Sequence, residues 1–293
     1  MLGRAKARRG RLSRDGFPSD DGMTSPARTG PGQIEIYAPP EGRKGRGRRK
    51  RRRRLGGVLI LIGIVLVAYA AAAAFWRDPV TDLYARWQQH RLDDALAVSI
   101  AEFRESEAQL AGQRAGAVGA VDVTQRRRQL VATARRFDRR LKIGQPLGRI
   151  IVPRLKLNKV FIHGTRWRQD LARGPGHFPE TEIPAIGQTV AIAGHRTTFG
   201  APFRYINKLR EGDEITLELP YGTFHYAVFK HKIVDNGDWS IVKPLGFDAV
   251  VLSACHPLYS AAQRWVVFAR LTSVDTMEGG RLAFWQPKAA AAA

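Results

Sequence analysis

The single cysteine of this 293-residue chain stands at the end of an apolar run, in the segment AVVLSACHP. Cys255 is followed by His256 and Pro257, and proline ends a strand there because it lacks a backbone N–H. A residue at a strand end beside a loop is well placed to face a cleft. Such a cysteine is either a nucleophile for acyl transfer or a small buried hydrophobic residue, and its position alone leaves both interpretations open.

A nucleophilic cysteine needs an acid–base partner, and the chain offers seven histidines. We favour His195, because it follows the apolar run TVAIAG and leads into a glycine-containing loop. His256 is adjacent to the cysteine, but neighbouring residues of a strand point to opposite faces. The alternative for His195 is a loop histidine with a purely structural hydrogen bond.

A cationic side chain near the sulfur is predicted from strand pairing. The predicted strands 248–255 and 264–271 are joined by a loop of eight residues. If they pair antiparallel, Cys255 lies opposite Arg264, with Cα atoms about 5 Å apart. A guanidinium at that place favours a thiolate and can donate to an oxyanion. Arg196 and Arg270 are weaker candidates, and the alternative is that Arg264 only begins its strand.

Short β-rich runs separated by glycine and proline fill the chain from residue 143 onward. Their spacing predicts an all-β barrel or sandwich over residues 143–273, without alternating βαβ units. Residues 274–293 are expected to form a peripheral tail. The predicted strands lie within residues 148–162, 189–195, 213–219, 223–234, 249–255 and 264–271.

A basic segment followed by an apolar segment precedes this domain. Residues 1–54 carry 17 Lys and Arg against 5 Asp and Glu, over half of the net charge of +22. They show no apolar period, so we expect a disordered tail. Residues 55–76 are uncharged and long enough to cross a bilayer, with arginines before them and aromatic residues at their end. They predict a signal anchor with a cytoplasmic N-terminus; a cleaved signal peptide is the alternative.

Residues 77–142 connect the apolar segment to the β-rich domain and show a helical period. Apolar residues recur from Leu83 to Phe103, and a narrow apolar seam runs from Leu130 to Leu141. A stretch rich in glycine and alanine separates the two. We expect a helical stalk that packs its apolar stripe on the neighbouring domain. The alternative is a coiled coil that self-associates or binds a partner.

The composition excludes several classes of site. One cysteine excludes a disulfide scaffold and a cysteine-rich zinc site. The sequence contains no Walker loop, dinucleotide fingerprint or His-Glu-x-x-His run. The excess of basic residues suggests a polyanionic partner at first. However, residues 151–293 carry only 17 Lys and Arg against 12 Asp and Glu, which argues against a folded nucleic-acid-binding face.

The order His, Cys, Arg and the segments around these residues resemble the sortase family. The segments are AIAGHRTTFGAPF, LREGD, VVLSACHP and QRWVVFARL, and LARGPGHFPET followed by IPAIGQ fits as well. The similarity is greatest to class E sortases of high-GC Gram-positive bacteria and covers about residues 143–273. Where the family usually has Thr-x-Thr-Cys, this chain has Leu252, Ser253, Ala254 and Cys255. Ser253 keeps a hydroxyl on the cysteine side of the strand, so the departure bears on substrate preference rather than on the chemistry.

The resemblance implies an eight-stranded β-barrel with cysteine transpeptidase activity. It implies that Cys255 is the nucleophile, that His195 is the general acid and base, and that Arg264 orients the substrate and stabilises the oxyanion. The implied substrate is a secreted protein with a C-terminal sorting signal of the Leu-Pro-x-Thr-Gly or Leu-Ala-x-Thr-Gly type. Cleavage after threonine would be followed by transfer to an amine of a cell-wall precursor or a pilin.

The resemblance also implies that the reaction needs no cofactor or metal, and the calcium site of some relatives is not apparent in this sequence. Ser253, Thr197 and Tyr205 are expected to line the substrate cleft. Together with the signal anchor, these expectations describe a single-pass membrane protein with its catalytic domain outside the cell. Nucleic acid is not an expected partner.

Two further functions remain as alternatives. An L,D-transpeptidase would also be a cell-wall cysteine enzyme, but its signature places glycine directly before the cysteine and arginine two residues after it. Ala254 and Pro257 stand at those positions here. A membrane-tethered binding module with an inert cysteine is the second alternative, and it requires that Cys255→Ala leave function unchanged.

Overall fold

A computed structural model describes residues 45–75, 79–113 and 122–285 of the chain. Most of the predicted disordered tail, the Gly/Ala-rich stretch of the stalk and the final alanine run lie outside the described residues. Three helices precede the β-rich domain within the described part: α1 (Gly45–Phe75), α2 (Pro79–Gln113) and α3 (Val123–Asp138).

Helix α1 contains the predicted membrane span. Its window Arg53–Ala72 has 20 residues and a mean hydropathy of 2.6, and none of it is buried against the rest of the protein. By length and composition it can cross a membrane. The helix begins at Gly45, so the arginines directly before the apolar run are helical as well.

The β-rich domain is a closed barrel of eight strands. The barrel order is β6-β5-β1-β2-β3-β4-β7-β8, and antiparallel pairing of β6 with β8 closes it. A ninth strand in the described residues pairs only with the end of β8. This confirms the predicted all-β, eight-stranded fold. The strands are β1 (Pro146–Val152), β2 (Leu157–His163), β3 (Gly176–His177), β4 (Thr189–Ala193), β5 (Glu214–Leu219), β6 (Gly222–Asp235), β7 (Ala249–His256), β8 (Gln263–Thr276) and β9 (Arg281–Ala283).

Strand β7 is buried on both faces, which explains its continuous apolar sequence. It lies between β4, which runs parallel to it, and β8, which runs antiparallel. Val250 and Leu252 point into the main core, whereas Val251 packs in a second cluster with Ala191 and Val266. A strand covered on both sides has no polar face to alternate with. The strand that carries the cysteine is therefore firmly held.

Both helices of the predicted stalk pack on the barrel. In α3, Leu130, Ala134 and Phe137 are buried in the main core, as the seam predicted. Phe103 of α2 joins them, with its ring 5.2 Å from that of Phe137 in an edge-on contact. These side chains close one side of the barrel core.

Helix α2 buries a different face from the one predicted in its first turns. Leu83 and Trp87 are 70% and 52% exposed, whereas Leu92 and Leu96 pack against β2. The step of five residues between Trp87 and Leu92 rotates the chain by about 140°, which separates the two pairs. The buried side-chain amide of Gln89 accepts from the backbone N–H of Val160 at 2.9 Å and donates to its carbonyl oxygen at 3.1 Å. It takes the place of a strand partner there, because the two-residue strand β3 does not extend as far as Val160.

The end of the barrel also extends further than predicted. Strand β8 continues past Ser273 to Thr276, and β9 follows in the segment that the sequence suggested was peripheral. Leu282 of β9 is 2% exposed and packs in the main core. A strand of three residues is too short to give a recognisable alternation.

Candidate active site

Cys255 and Arg264 lie opposite each other on neighbouring strands. The antiparallel register of β7 and β8 pairs them directly, as predicted. The Nη1 atom of Arg264 is 3.5 Å from Sγ of Cys255. The same nitrogen donates to the carbonyl oxygens of Ala261 and Gln263, at 3.1 and 3.0 Å. These two bonds hold the guanidinium beside the sulfur.

His195 reaches the same end of the sheet through the parallel pairing of β4 and β7. Ala193 pairs with Ser253, and the backbone N–H of Gly194 donates to the Ser253 carbonyl at 3.0 Å. His195 and Cys255 each follow two residues after this pair. Since neighbouring strands lie about 4.8 Å apart, the pairing places the two residues side by side at the strand ends.

The glycine before His195 is required by close packing. A Cβ atom on Gly194 would lie 2.5 Å from the ring of Phe203, which is a clash. The backbone N–H of Phe203 in turn donates to the carbonyl of His195 at 3.0 Å. The Ala-Gly-His sequence thus lets the chain turn tightly against Phe203 and present the histidine.

The environment of His195 keeps its imidazole neutral. Burial lowers its pKa from 6.5 to about 4. Its Nε2 atom is buried and has no hydrogen-bond partner among the described residues. A buried ring nitrogen without a hydrogen-bond partner destabilises the folded state, and a role in proton transfer would explain why it is kept. A neutral imidazole can accept a proton at neutral pH and pass it on.

One cleft of about 420 Å³ brings the three residues together. Cys255, His195, Arg264 and the buried Ser253 all line it. The rest of its lining is largely apolar, so it suits an apolar side chain next to a polar reacting centre. Its main apolar residues are Trp167, Leu171, Phe178, Trp239, Ile241 and Val242.

The two other predicted contacts, Thr197 and Tyr205, are not among the described residues that line this cleft. Tyr205 is 43% exposed, and Nζ of Lys208 lies 4.6 Å from its ring centre. The weaker cation candidate Arg270 lies over the Phe247 ring, at 4.4 Å. The described residues contain no group of three or more His, Cys, Asp and Glu side chains suited to a metal ion.

Arg196 has a supporting position that the sequence analysis did not anticipate. Its buried guanidinium donates to the carbonyl of Cys255 at 3.1 Å and to Oδ1 of Asn207 at 2.9 Å. Burial lowers the pKa of Arg196 from its usual range. Arg196 thus holds the backbone of Cys255 rather than its sulfur, and it does so from a bend outside the strands, where no periodic signal points to it.

A pair of histidines, one buried and one half-buried, lies close to the cleft. The Nδ1 atoms of His163 and His177 are 3.1 Å apart, so one ring donates a hydrogen bond to the other. His177 is fully buried, and its Nε2 atom is 3.2 Å from the Glu182 carbonyl oxygen. Burial lowers the pKa of His177 from 6.5 to about 4 and also lowers that of His163. Since Phe178 lines the cleft, this pair supports one of its walls.

Burial of His177 predicts that acid destabilises the barrel. Between pH 6.5 and about 4, unfolded His177 binds a proton that the folded state excludes. The unfolding free energy should therefore fall as the pH is lowered through this window, by up to ~1.4 kcal/mol per pH unit for each such histidine. Urea unfolding followed by tryptophan fluorescence at pH 7 and pH 5 measures this difference. His177→Gln, which cannot titrate, should reduce it, and an unchanged difference would contradict the assignment.

Comparisons with known proteins agree with this geometry. Residues 150–272 match the family model described as the sortase domain. Sortase D of Bacillus subtilis is 30% identical over 131 residues, which are 43% of this chain and 64% of that protein. Sortase SrtE1 of Streptomyces coelicolor is 28% identical over 165 residues, which are 51% of this chain and 47% of that protein. The chain thus spans less than two thirds of either relative.

Among solved structures, this chain is similar to the crystal structure of sortase E1 from Streptomyces coelicolor with a tripeptide in its active site. The identity is 28%, the match covers 45% of this chain and 90% of that one, and the TM-score is 0.43. The similarity to class E that the motifs indicated is thus found among the sequence relatives, together with similarity to class D. Residues 150–272 therefore match the sortase domain, and the two relatives named above are both sortases.

Proposed function

We propose that this chain is a membrane-anchored cysteine transpeptidase that cleaves a sorting signal and transfers the acyl part to an amine. One observation carries the proposal: a thiol, a neutral buried imidazole and a guanidinium stand at adjacent strand ends and line one cleft. These are the nucleophile, the proton carrier and the oxyanion donor that acyl transfer needs.

In the first step, the proton of the Cys255 thiol moves to His195, and the sulfur attacks the carbonyl carbon of the threonine in the signal. The carbonyl oxygen becomes an oxyanion, to which Arg264 donates. As the intermediate collapses, the carbon–nitrogen bond to glycine breaks. His195 gives its proton to the departing amine, which leaves a thioester on Cys255.

In the second step, an amine of the acceptor attacks the thioester carbonyl. His195 takes a proton from this amine, and Arg264 again donates to the oxyanion. The carbon–sulfur bond then breaks, the acyl group stays on the acceptor nitrogen, and the proton returns to the thiol. No group other than the three side chains and the two substrates is used in this scheme.

The substrate we propose carries a Leu-Pro-x-Thr-Gly or Leu-Ala-x-Thr-Gly signal. The apolar lining around Trp167 and Ile241 supports binding of its leucine side chain, and Ser253 supports contact with the polar part. Thr197 and Tyr205 remain predicted contacts. The proposed acceptors are the amine of a cell-wall precursor or a pilin lysine.

The proposed topology follows the charge pattern of the chain. We assign residues 1–54 to a cytoplasmic tail, 55–76 to the anchor, 77–142 to the stalk and 143–273 to the catalytic domain. The basic run before an apolar helix supports a cytoplasmic N-terminus and a barrel on the outer side of the membrane.

The test of this function uses the full chain in detergent with both signal peptides and an amine acceptor. We expect cleavage between threonine and glycine and an amide product with the acceptor, which chromatography and mass spectrometry detect. The ratio of the cleavage rates of the two peptides gives the preference for alanine or proline. Absence of cleavage of both peptides by folded protein would refute the proposed function.

Arg264→Ala should reduce the rate of cleavage by about 100-fold, since removal of one oxyanion donor has effects of that order. The exposed Arg210→Ala is the matched control and should leave the rate unchanged. Arg264→Lys should recover only part of the loss, because an ammonium lacks the planar fork of donors. Steady-state rates measure this, and equal effects at positions 264 and 210 would contradict the oxyanion role.

A further inference from the structure

The first turns of helix α2 contact the loop that follows His195. The backbone N–H of Phe199 donates to the Thr81 hydroxyl at 3.1 Å. The ring of Tyr84 meets the ring of Phe199 edge-on, with centroids 6.3 Å apart. These two contacts join parts of the chain that are more than 100 residues apart in sequence.

Phe199 also contacts the predicted acid–base residue His195. Its ring centroid lies 5.2 Å from that of His195, at an interplanar angle of 40°. The ring of Trp167, which lines the cleft, meets Phe199 edge-on at 6.4 Å. Phe199 is thus in contact with α2 on one side and with the active-site residues on the other.

The backbone of this loop is strained. Phe199, Gly200 and Ala201 have φ values of 52°, 73° and 41°, all in the left-handed region that residues with a side chain disfavour. A Cβ atom on Gly200 would lie 3.2 Å from Cβ of Ala85, so α2 packs directly on the turn. A strained loop persists only where its surroundings over-determine it.

From these contacts we infer that the start of α2 is a positioning element for His195, with Thr81 and Tyr84 acting through Phe199. The inference rests on the proposed function and extends it to a segment otherwise regarded as a spacer. Helix α2 begins four residues after α1 ends, so only a short stretch of chain separates the proposed anchor from the turns that contact this loop.

Four variants of the full chain test the inference. Thr81→Val removes the hydroxyl acceptor at nearly constant volume, and Tyr84→Ala removes the ring contact. Tyr84→Phe keeps the ring and is the conservative rescue. Leu83→Ala, on the same helix but at a residue that is 70% exposed, is the matched control.

Two readouts separate positioning from general stability. We expect Thr81→Val and Tyr84→Ala to lower kcat for cleavage by about 10-fold with little change in KM, since a small displacement of a catalytic group affects the reaction rather than binding. Tyr84→Phe and Leu83→Ala should resemble the natural chain. Unchanged kcat in Thr81→Val and Tyr84→Ala, or an equal loss in Leu83→Ala, would overturn the inference.

The second readout is the titration of His195 by NMR, with its signal identified by its absence in His195→Gln. Burial is the cause of its low pKa, so loosening the loop should move the pKa from about 4 towards 6.5. The titratable and charged groups that share its cleft are Cys255, Asp238 and Arg264, and Asp82 lies on α2. These groups are the same in all four variants.

This titration does not depend on activity. If the natural chain does not cleave the peptides, the proposed function fails, and the NMR shift still reports whether α2 positions His195. If the natural chain cleaves them and the pKa of His195 stays the same in Tyr84→Ala, the inference fails alone.

Discussion

Replacement of Cys255 with alanine should abolish cleavage and transfer, with a loss of at least ~1000-fold, because no thioester can form without the sulfur. The remaining residues of the site cannot supply a nucleophile at that place: His195 and Arg264 hold the proton and the oxyanion in the proposed scheme. Initial rates of peptide cleavage and of amide product formation measure the effect.

The fold should survive this substitution. Cys255 is only partly buried, and β7 is held by its backbone pairing with β4 and β8. The urea midpoint should therefore match that of the natural chain. Full activity in Cys255→Ala would favour a binding module with an inert thiol. If Cys255→Ala loses both its activity and its fold, the same rates are measured on Cys255→Ser, which we expect to be folded and inactive.

His195→Gln has the second-largest expected effect, a decrease in cleavage rate of about 100- to 10,000-fold. Glutamine occupies similar space and keeps polar atoms in the loop, but it cannot take the thiol proton and deliver it to the departing amine. The loss should therefore appear in the formation of the thioester, which rapid-quench sampling resolves.

The matched control for this substitution is His231→Gln. His231 is exposed and its ring stacks on Trp265 at 5.8 Å, outside the cleft. It should retain the rate of the natural chain. A small effect of His195→Gln, comparable to that of the control, would leave His195 as a loop histidine with a structural role.

Local patterns predicted an all-β domain and the juxtaposition of Cys255 and Arg264, and the resemblance to sortases predicted the eight-stranded barrel. Strand periods and turn residues define the β-rich runs, and the short loop between β7 and β8, six residues in the structure, fixes their antiparallel register. The parallel pairing that brings His195 to the same place joins strands about 60 residues apart. The sequence indicated that His195 follows the end of a strand, but not that this strand pairs with the one that carries Cys255.

What the sequence did not reveal depends on contacts between distant segments. Arg196 supports the backbone of Cys255, and α2 packs on the turn at Gly200; neither has a periodic signal. The placement of Thr197 and Tyr205 depends on the path of a loop with left-handed residues. Contact of these two side chains with a substrate therefore stays a prediction.

The packing of the stalk also decides which form of the protein should be studied. Phe103, Leu130 and Phe137 belong to the main core, although they precede the predicted catalytic domain. A protein that begins at residue 143 would expose the surface they cover. For this reason the experiments proposed above all use the full chain.

The central claim is that Cys255 carries the acyl group, and intact-mass spectrometry of the full chain mixed with a Leu-Ala-x-Thr-Gly or Leu-Pro-x-Thr-Gly peptide tests it most directly. We expect a mass increase equal to the peptide acyl group up to threonine, located on Cys255 by proteolysis and removed by hydroxylamine. Folded protein that shows no such adduct with either peptide, or shows it on another residue, would refute the assignment of Cys255 as the nucleophile.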